Sequence, residues 1–281
     1  MSGISGNGIS RRRALGLAGV AAGAVALGTT AAEPASAATA WRYLGVVTAN
    51  IGRDNLAARE PAIGAVRNSL GLTGDEDRPL VGWQEIGEGD PDAREKDWIN
   101  EYFSIMYNNL HLSDGGHRVP ISAPKAYNVV SQRVTSVHGG KEHVSPNRVI
   151  SETVLAAAND TALRFAFLNT HFVAGAWNGK EDPYEAWRDE MWEIHFQKMR
   201  TVMEGYRAQG LPIIWTGDCN RDPMPKFYPL KEIRAFSTGI DQIGWIPGTN
   251  GVEIRLHSKK TVPMNVDGHD ARVALLELRR A

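Results

Sequence analysis

Seven side chains suited to holding a phosphate, a hard cation or a proton stand in or just beyond short apolar runs of this chain. Asn50 ends the run that begins at Tyr43, Glu85 sits inside Leu80–Ile86, and His171 closes the run that begins at Leu163. Asp218 and Asn220 follow Leu211–Trp215, Asp241 lies within Ile240–Ile246, and His269 comes just before Ala271–Leu278. Oxygen donors of this kind favour Mg²⁺ or Mn²⁺ over zinc. Such a cation polarises a phosphoryl oxygen, and an imidazole backed by a carboxylate can take a proton from water. The set is an inventory for phosphoester hydrolysis. If the apolar runs are the central strands of one fold, their polar ends can meet on one rim.

Each residue also has a plainer reading. Asp218 and Asn220, two apart at a strand end, point to the same side, which suits a water or a phosphate oxygen; Asp and Asn are also ordinary turn formers. Glu85 interrupts an apolar strand, where a carboxylate is costly unless paired or bound to a metal, although on an edge strand it would face water. His171 could be a satisfied core histidine, and His195 falls on the apolar stripe of a helix, a structural position. His111, His117, His138 and His143 lack the spacing of a zinc site and read as surface loop residues, with His117 and Arg118 within reach of an anionic substrate. Trp83, Trp177 and Trp215 lie near the expected rim and could stack on a base or pack in the core, the core being the reading for Trp215. The sequence holds no Gly-rich phosphate loop and no Gly-x-Ser-x-Gly elbow. Cys219, the only cysteine, rules out an intramolecular disulfide. It alternates away from the side that Asp218 and Asn220 share, which makes a cysteine hydrolase a poor alternative.

The elements that must position these groups follow from periodicity. Strands are expected at 43–50, 80–86, 163–171, 211–215, 236–246 and 271–278, with short strands and turns between 104 and 155. Asn55 could cap a helix over 56–70, and a short helix fits 92–103. Asp182-Pro183 opens a long amphipathic helix that ends at Gly210.

The first forty residues are set apart. Arg11-Arg12-Arg13 leads into an uncharged stretch rich in Ala, Gly, Leu and Val, followed by Ala35-Ser36-Ala37 and Ala38-Thr39-Ala40. This reads as a twin-arginine-type export signal, cleaved to leave a secreted, extracytoplasmic protein with no stable membrane insertion. Removing residues 1–40 takes away three arginines and Glu33, leaving 28 basic and 31 acidic residues. The resulting slightly acidic chain has no basic footprint for non-specific nucleic-acid binding. Residues 41–281 carry no linker and are long enough to fold as one domain without staples, expected as a monomer.

In sequence order, Thr48-Ala49-Asn50-Ile51, Trp83-Gln84-Glu85-Ile86, Asn169-Thr170-His171-Phe172, Thr216-Gly217-Asp218-Cys219-Asn220, Ile240-Asp241-Gln242-Ile243 and Gly268-His269-Asp270-Ala271 resemble the endonuclease/exonuclease/phosphatase superfamily. The resemblance implies an α/β four-layered sandwich, with two mostly antiparallel β-sheets packed face to face and helices outside. It implies a Mg²⁺- or Mn²⁺-dependent phosphoester hydrolase, most plainly a phosphodiesterase acting on nucleic acid, a phospholipid headgroup or an inositol phosphate. Carried over by motif, Glu85 is the principal metal ligand with Asn50 beside it, and His269 is the general base, oriented by Asp241. Asp218 and Asn220 position water and phosphate, and His171 binds the phosphate and stabilises the transition state. The family closes with Ser-Asp-His, whereas here Gly268 precedes His269 and the acid stands one residue earlier, at Asp267. Either Asp267 serves as the metal ligand instead or the metal site has lost one. The second case points to a catalytically impaired member of the fold, acting as a phosphate-ligand or protein binding module.

Overall fold

A computed structural model describes residues 40–52, 55–71, 78–87, 94–177, 184–266 and 268–281. Residues 1–39 of the expected export segment, the Asp182-Pro183 helix start and Asp267 lie outside the described residues. In chain order the elements are β1 (Arg42–Asn50), α1 (Leu56–Arg67), β2 (Leu80–Gln84), α2 (Glu95–Tyr102), β3 (Tyr107–Leu110), β4 (Ile121–Pro124), β5 (Tyr127–His138) and β6 (Arg148–Ala157). They continue as β7 (Asp160–His171), α3 (Glu185–Ala208), β8 (Ile213–Asp218), β9 (Ile233–Arg234), β10 (Asp241–Ile246), β11 (Val252–Val266) and β12 (His269–Arg280).

The strands form two sheets of six, ordered β11-β12-β1-β2-β4-β3 and β5-β6-β7-β8-β10-β9. Each sheet contains one parallel pair, β1 with β2 and β7 with β8, and is otherwise antiparallel. The reason is local: a parallel pair needs a crossover, and α1 and α3 lie in the two crossovers. Alternation along the strands then sorts the apolar residues into layers. Leu44 and Val46 of β1 pack with Phe165 and Phe167 of β7 and Ile214 of β8 between the sheets. Val47 and Ala49 turn the other way, toward Ile63 and Val66 of α1 and Ile99 of α2. On the far side Ala166, Leu168, Ile213 and Trp215 meet Trp192, Met199 and Met203 of α3. Three apolar layers make a four-layered α/β sandwich, as expected.

Topology also brings the polar strand ends to one edge. The parallel register sets Asn50 opposite Gln84, and His171 opposite Asp218. β10 runs antiparallel to β8 and starts with Asp241 opposite Asp218, while β12 runs antiparallel to β1 and starts at His269.

Near that edge the apolar layer gives way to a buried polar bracket. Asn169 of β7 donates from Nδ2 to the carbonyls of Trp83 (2.7 Å), Val119 (3.1 Å) and Pro120 (3.1 Å). Its Oδ1 accepts from Gln84 Nε2 (2.7 Å) and Thr216 Oγ1 (3.0 Å). Gly82 leaves the room for this, because a Cβ there would land on Thr216 Oγ1 and the Asn169 carboxamide.

Several elements differ from the sequence expectation. The segment 104–155 holds two long strands, β5 and β6, rather than only short ones, and 252–266 forms β11, for which no strand is expected. Asn55 makes no side-chain cap to α1, and its Nδ2 donates instead to the Asn265 carbonyl at 3.3 Å. Among the described residues no helix is long and apolar enough to cross a membrane.

Asn169→Ala strands several buried hydrogen-bonding groups at once and is expected to cost about 2–4 kcal/mol. Urea unfolding measures it, and a midpoint equal to the parent's would contradict the bracket.

Candidate active site

The rim gathers the expected side chains. Asn50 lies on the β1 face that also carries Leu44 and Val46, so it points between the sheets. Its Nδ2 donates to Asp218 Oδ2 at 2.8 Å and lies 3.4 Å from Glu85 Oε1. Asp218 Oδ1 accepts the Asn220 backbone N–H at 2.8 Å. His171 Nε2 lies 3.5 Å from Asp218 Oδ2 and 3.8 Å from Glu85 Oε1. His269 Nδ1 faces Asp241 Oδ2 at 3.0 Å and turns Nε2 toward Asp218 Oδ2, 4.0 Å away. Seven of the eight expected site residues therefore share one rim, and the eighth, Asp267, lies outside the described residues.

Backbone geometry aims two of them. Glu85 directly follows β2 with φ 63°, and Asn220 has φ 48°. Left-handed φ is uncommon outside glycine, though Asn tolerates it; at Glu85 it costs on the order of 1–3 kcal/mol, and such strain clusters at functional sites. His269 is aimed differently. Continued alternation would put it on the helix side with Ala271 and Val273, but the β11–β12 register breaks between Val262 and Val266 and Gly268 takes φ 80°. Such irregularities re-aim side chains beside active sites.

Arg148, the first residue of β6, was not among the expected site residues. Its guanidinium donates to His171 Nδ1 at 2.9 Å. A neutral imidazole offers one lone pair, so Nδ1 is the acceptor and the proton sits on Nε2, facing Asp218 and Glu85. The Asn220 carboxamide nitrogen donates to the Phe172 carbonyl at 3.1 Å and also lies 3.1 Å from Nε2; a neutral ring cannot accept at both nitrogens, and the shorter contact from the charged Arg148, with two carboxylates facing Nε2, decides for Nδ1 as the acceptor. Charge sets the protonation of the rest. Burial alone would lower the pKa of His269, but its hydrogen bond to Asp241 and the charges of Asp241, Asp218 and Glu85 raise it to about 9. Burial, with the charge of Asp241, pushes Asp218 up to about 7 against the opposing pull of His269 and the N–H donors of Asn220 and Asn50.

A hard cation fits this donor set. Asp241 Oδ1 is buried without a hydrogen-bond partner among the described residues, and Asp218, Asp241 and His269 offer ligand atoms within 4.8 Å of one another. That compact trio differs from the expected Glu85 and Asn50. A cation held by the trio would occupy His269 Nε2, because Nδ1 already faces Asp241; Glu85, with its side chain 14% exposed, is the acid that leaves His269 available.

Other expectations resolve here. Trp83 and Trp215 are core residues, while Trp177 is 48% exposed, with the Arg221 guanidinium 3.7 Å from its ring centroid. His195 is buried against Phe172 and bonds Thr170 Oγ1 at 2.7 Å, a structural role. His111 and His138 are buried rather than on surface loops: His111 Nδ1 meets Asp114 at 2.8 Å, and burial lowers His138 to about 4. Cys219 is buried and its thiol pKa is pushed well up by that burial, which removes it as a nucleophile.

No protein-family model and no curated protein sequence matches the chain. Solved structures do. An endonuclease/exonuclease/phosphatase family protein from Bacteroides thetaiotaomicron superposes with TM-score 0.58 at 14% identity, over 85% of this chain and 96% of that one. A mannosyl-6-phosphatase from the same organism gives 0.56 at 15%, over 84% and 99%. TDP2 from D. rerio, complexed with a single-strand DNA product, gives 0.58 at 11%, over 83% and 98%. The chain has the endonuclease/exonuclease/phosphatase fold. At such identities the likeness establishes the fold, and the argument for chemistry rests on the side chains at the rim of that sandwich.

Two NMR measurements check the site without turnover. In the metal-free protein His269 is expected to titrate near 9, well above its ordinary 6.5, and Asp241→Asn to bring it down. Because the folded value is raised, this interaction adds stability that is fully present below about 6.5 and is lost as pH rises through about 9. The ¹⁵N shifts of His171 are expected to show a bare Nδ1 and a protonated Nε2; the opposite tautomer would contradict the Arg148 contact.

Proposed function

We propose that this chain is a divalent-metal-dependent phosphoester hydrolase of the phosphodiesterase type. The observation that carries the reading is the Asp241–His269 pair, whose Nε2 faces Asp218 Oδ2 at 4.0 Å on the same rim as Glu85. In this reading His269, kept protonated by the surrounding carboxylates in the metal-free protein, would lose that charge once a bound cation offset them; it then takes a proton from the attacking water at Nε2, and Asp241 holds the ring and stabilises the imidazolium that forms. Asp218 and Asn220 position water and phosphate. His171, presenting Nε2–H because Arg148 occupies Nδ1, donates to a phosphoryl oxygen as negative charge builds there. Glu85 and Asn50, with Asp267 as a further candidate, would hold Mg²⁺ or Mn²⁺. When bound, the ion supplies Lewis-acid polarisation of the phosphoryl group and offsets charge on the leaving oxygen.

The phosphatase and the DNA-bound protein that share the fold support a phosphoester substrate, and nucleic acid, phospholipid headgroups and inositol phosphates all remain within this proposal. Composition at the N-terminus supports export through a twin-arginine-type signal at 1–40, with 41–281 as a single catalytic domain acting as a monomer. Gly268 favours the second reading, a binding module: it stands where the family carries an acid, and it offers no ligand atom from a side chain at that position.

A panel of nucleic acid, bis(p-nitrophenyl) phosphate, phospholipid and inositol phosphate, run with Mg²⁺ or Mn²⁺ and again with chelator, separates the two. Metal-dependent hydrolysis of at least one class is expected, with Glu85→Ala and His269→Ala each lowering kcat by roughly 10²–10⁴ while the fold is kept. Folded protein that binds a phosphoester without turning over any of them establishes the binding module instead.

A further inference from the structure

Beside the rim lies a cleft of about 820 Å³, walled by the turn between β5 and β6 and by Arg118 and Arg188. We propose that it is a second anion subsite, which takes a negatively charged group borne by the same substrate whose phosphoester lies between His171 and Asp218. The inference rests on the phosphoester reading and narrows it to substrates with at least two anionic groups, such as a neighbouring phosphate.

Three connections tie the cleft to the site. The Arg118 carbonyl accepts the N–H of Ile86, the residue after Glu85, at 3.3 Å. Asn147 on the turn directly precedes Arg148, whose guanidinium reaches His171. Arg188 donates to the carbonyl of Ala174, three residues beyond His171, at 2.8 Å. A substrate seated at the rim thus has this cleft as its neighbour, and the volume falls in the range of small-ligand sites.

The chemistry of the wall is cationic. Lys141, Arg118 and Arg188 line it, with His143, against Glu142 as the one acid among the lining residues. Glu142 is exposed and lies 3.5 Å from His143. Lys141 supplies the charge independently of the two guanidinium groups. Its Nζ stands 4.4 Å from the Tyr184 ring centroid and 5.6 Å from that of Trp187. Ring faces hold an ammonium in place while leaving its N–H donors for a ligand.

The turn that presents Lys141 is built rather than loose. Its N–H donates to the Ser145 carbonyl at 2.8 Å, and its carbonyl accepts from Ser145 (2.9 Å) and Val144 (3.0 Å). Gly140, at φ 78°, is pressed so close that a Cβ would stand 2.6 Å from the backbone of Ser145, Pro146 and Asn147. A donor fixed in advance loses little freedom on binding. A quaternary ammonium headgroup, by contrast, would meet like charge here.

The test compares bis(p-nitrophenyl) phosphate, with one phosphate, against a dinucleotide carrying a 5′-phosphate, with two. Lys141→Glu is expected to lower kcat/KM on the dinucleotide by about tenfold or more, the worth of one charge-assisted contact, and to leave the single-phosphate ester within about twofold. Lys141→Arg should retain the difference between substrates. Equal effects on both, or none on either, overturn the subsite. Titration with inorganic pyrophosphate followed by NMR decides the matter independently of turnover: shifts are expected at Lys141 and Asn147 in the parent and in Glu85→Ala. Absence of hydrolysis with those shifts present removes the catalytic reading alone; absence of the shifts removes the subsite.

Discussion

One buried carboxamide, Asn169, fixes how the two sheets meet where the chemistry would occur. The apolar layer between them is non-directional and would tolerate a slide of either sheet. The Asn169 hydrogen bonds to Gln84, Thr216 and three carbonyls would not, because they sit in a low-dielectric interior where a lost partner is expensive. Gly82 is part of the same device, since any side chain there would push the bracket open. Asn50 comes from one sheet and Asp218 from the other, so their 2.8 Å contact depends on this alignment.

The bracket also explains why strand ends alone are enough to gather a site. Each sheet contains a β-α-β unit whose parallel strands finish at the same edge, and the antiparallel neighbours β10 and β12 begin there. Two strand ends from each sheet plus two strand beginnings supply carboxylates, amides and imidazoles from positions scattered between 50 and 269. No loop has to travel far to reach the rim.

Strands buried on both faces were legible as continuous apolar runs, as β1, β2, β7 and β8 show, and so were the residues that terminate them. β11 was missed for a physical reason: it is an edge strand with one face to solvent, and Glu253, Arg255, Lys259 and Lys260 dilute the alternation of Val252, Ile254 and Leu256. β5, at the edge of the other sheet, is masked in the same way. Arg148 was illegible because its role depends on a partner 23 positions away, and nothing local distinguishes it from a strand-end arginine. Asn169 was visible at the end of β7, but only the packing of Gly82 against it shows why a carboxamide is needed. His269 is the instructive case, since simple alternation places it with Ala271 and Val273, whereas its ring meets Asp241 of the other sheet, at a point where the β11–β12 register is irregular and Gly268 takes φ 80°.

The residue types at the rim bear on whether the chain binds or catalyses. A module built only to hold phosphate gains nothing from Glu85, Asp218 and Asp241, whose charges repel the ligand; amides and cations would serve it better. Asp218 shows the tension directly, held well above the usual carboxylate range by burial and by Asp241. The neighbouring amides Asn50 and Asn220 ease it with N–H donors but carry no net charge, and Asp241 keeps one oxygen buried without a partner among the described residues. Like charges gathered this closely around a phosphate site are reconciled by a cation placed among them, and the oxygen-rich donor set is of the kind that holds a hard divalent one. His269, drawn to about 9 by these acids, offsets part of that charge, and the remainder is what the proposed hydrolase would use to hold its cation.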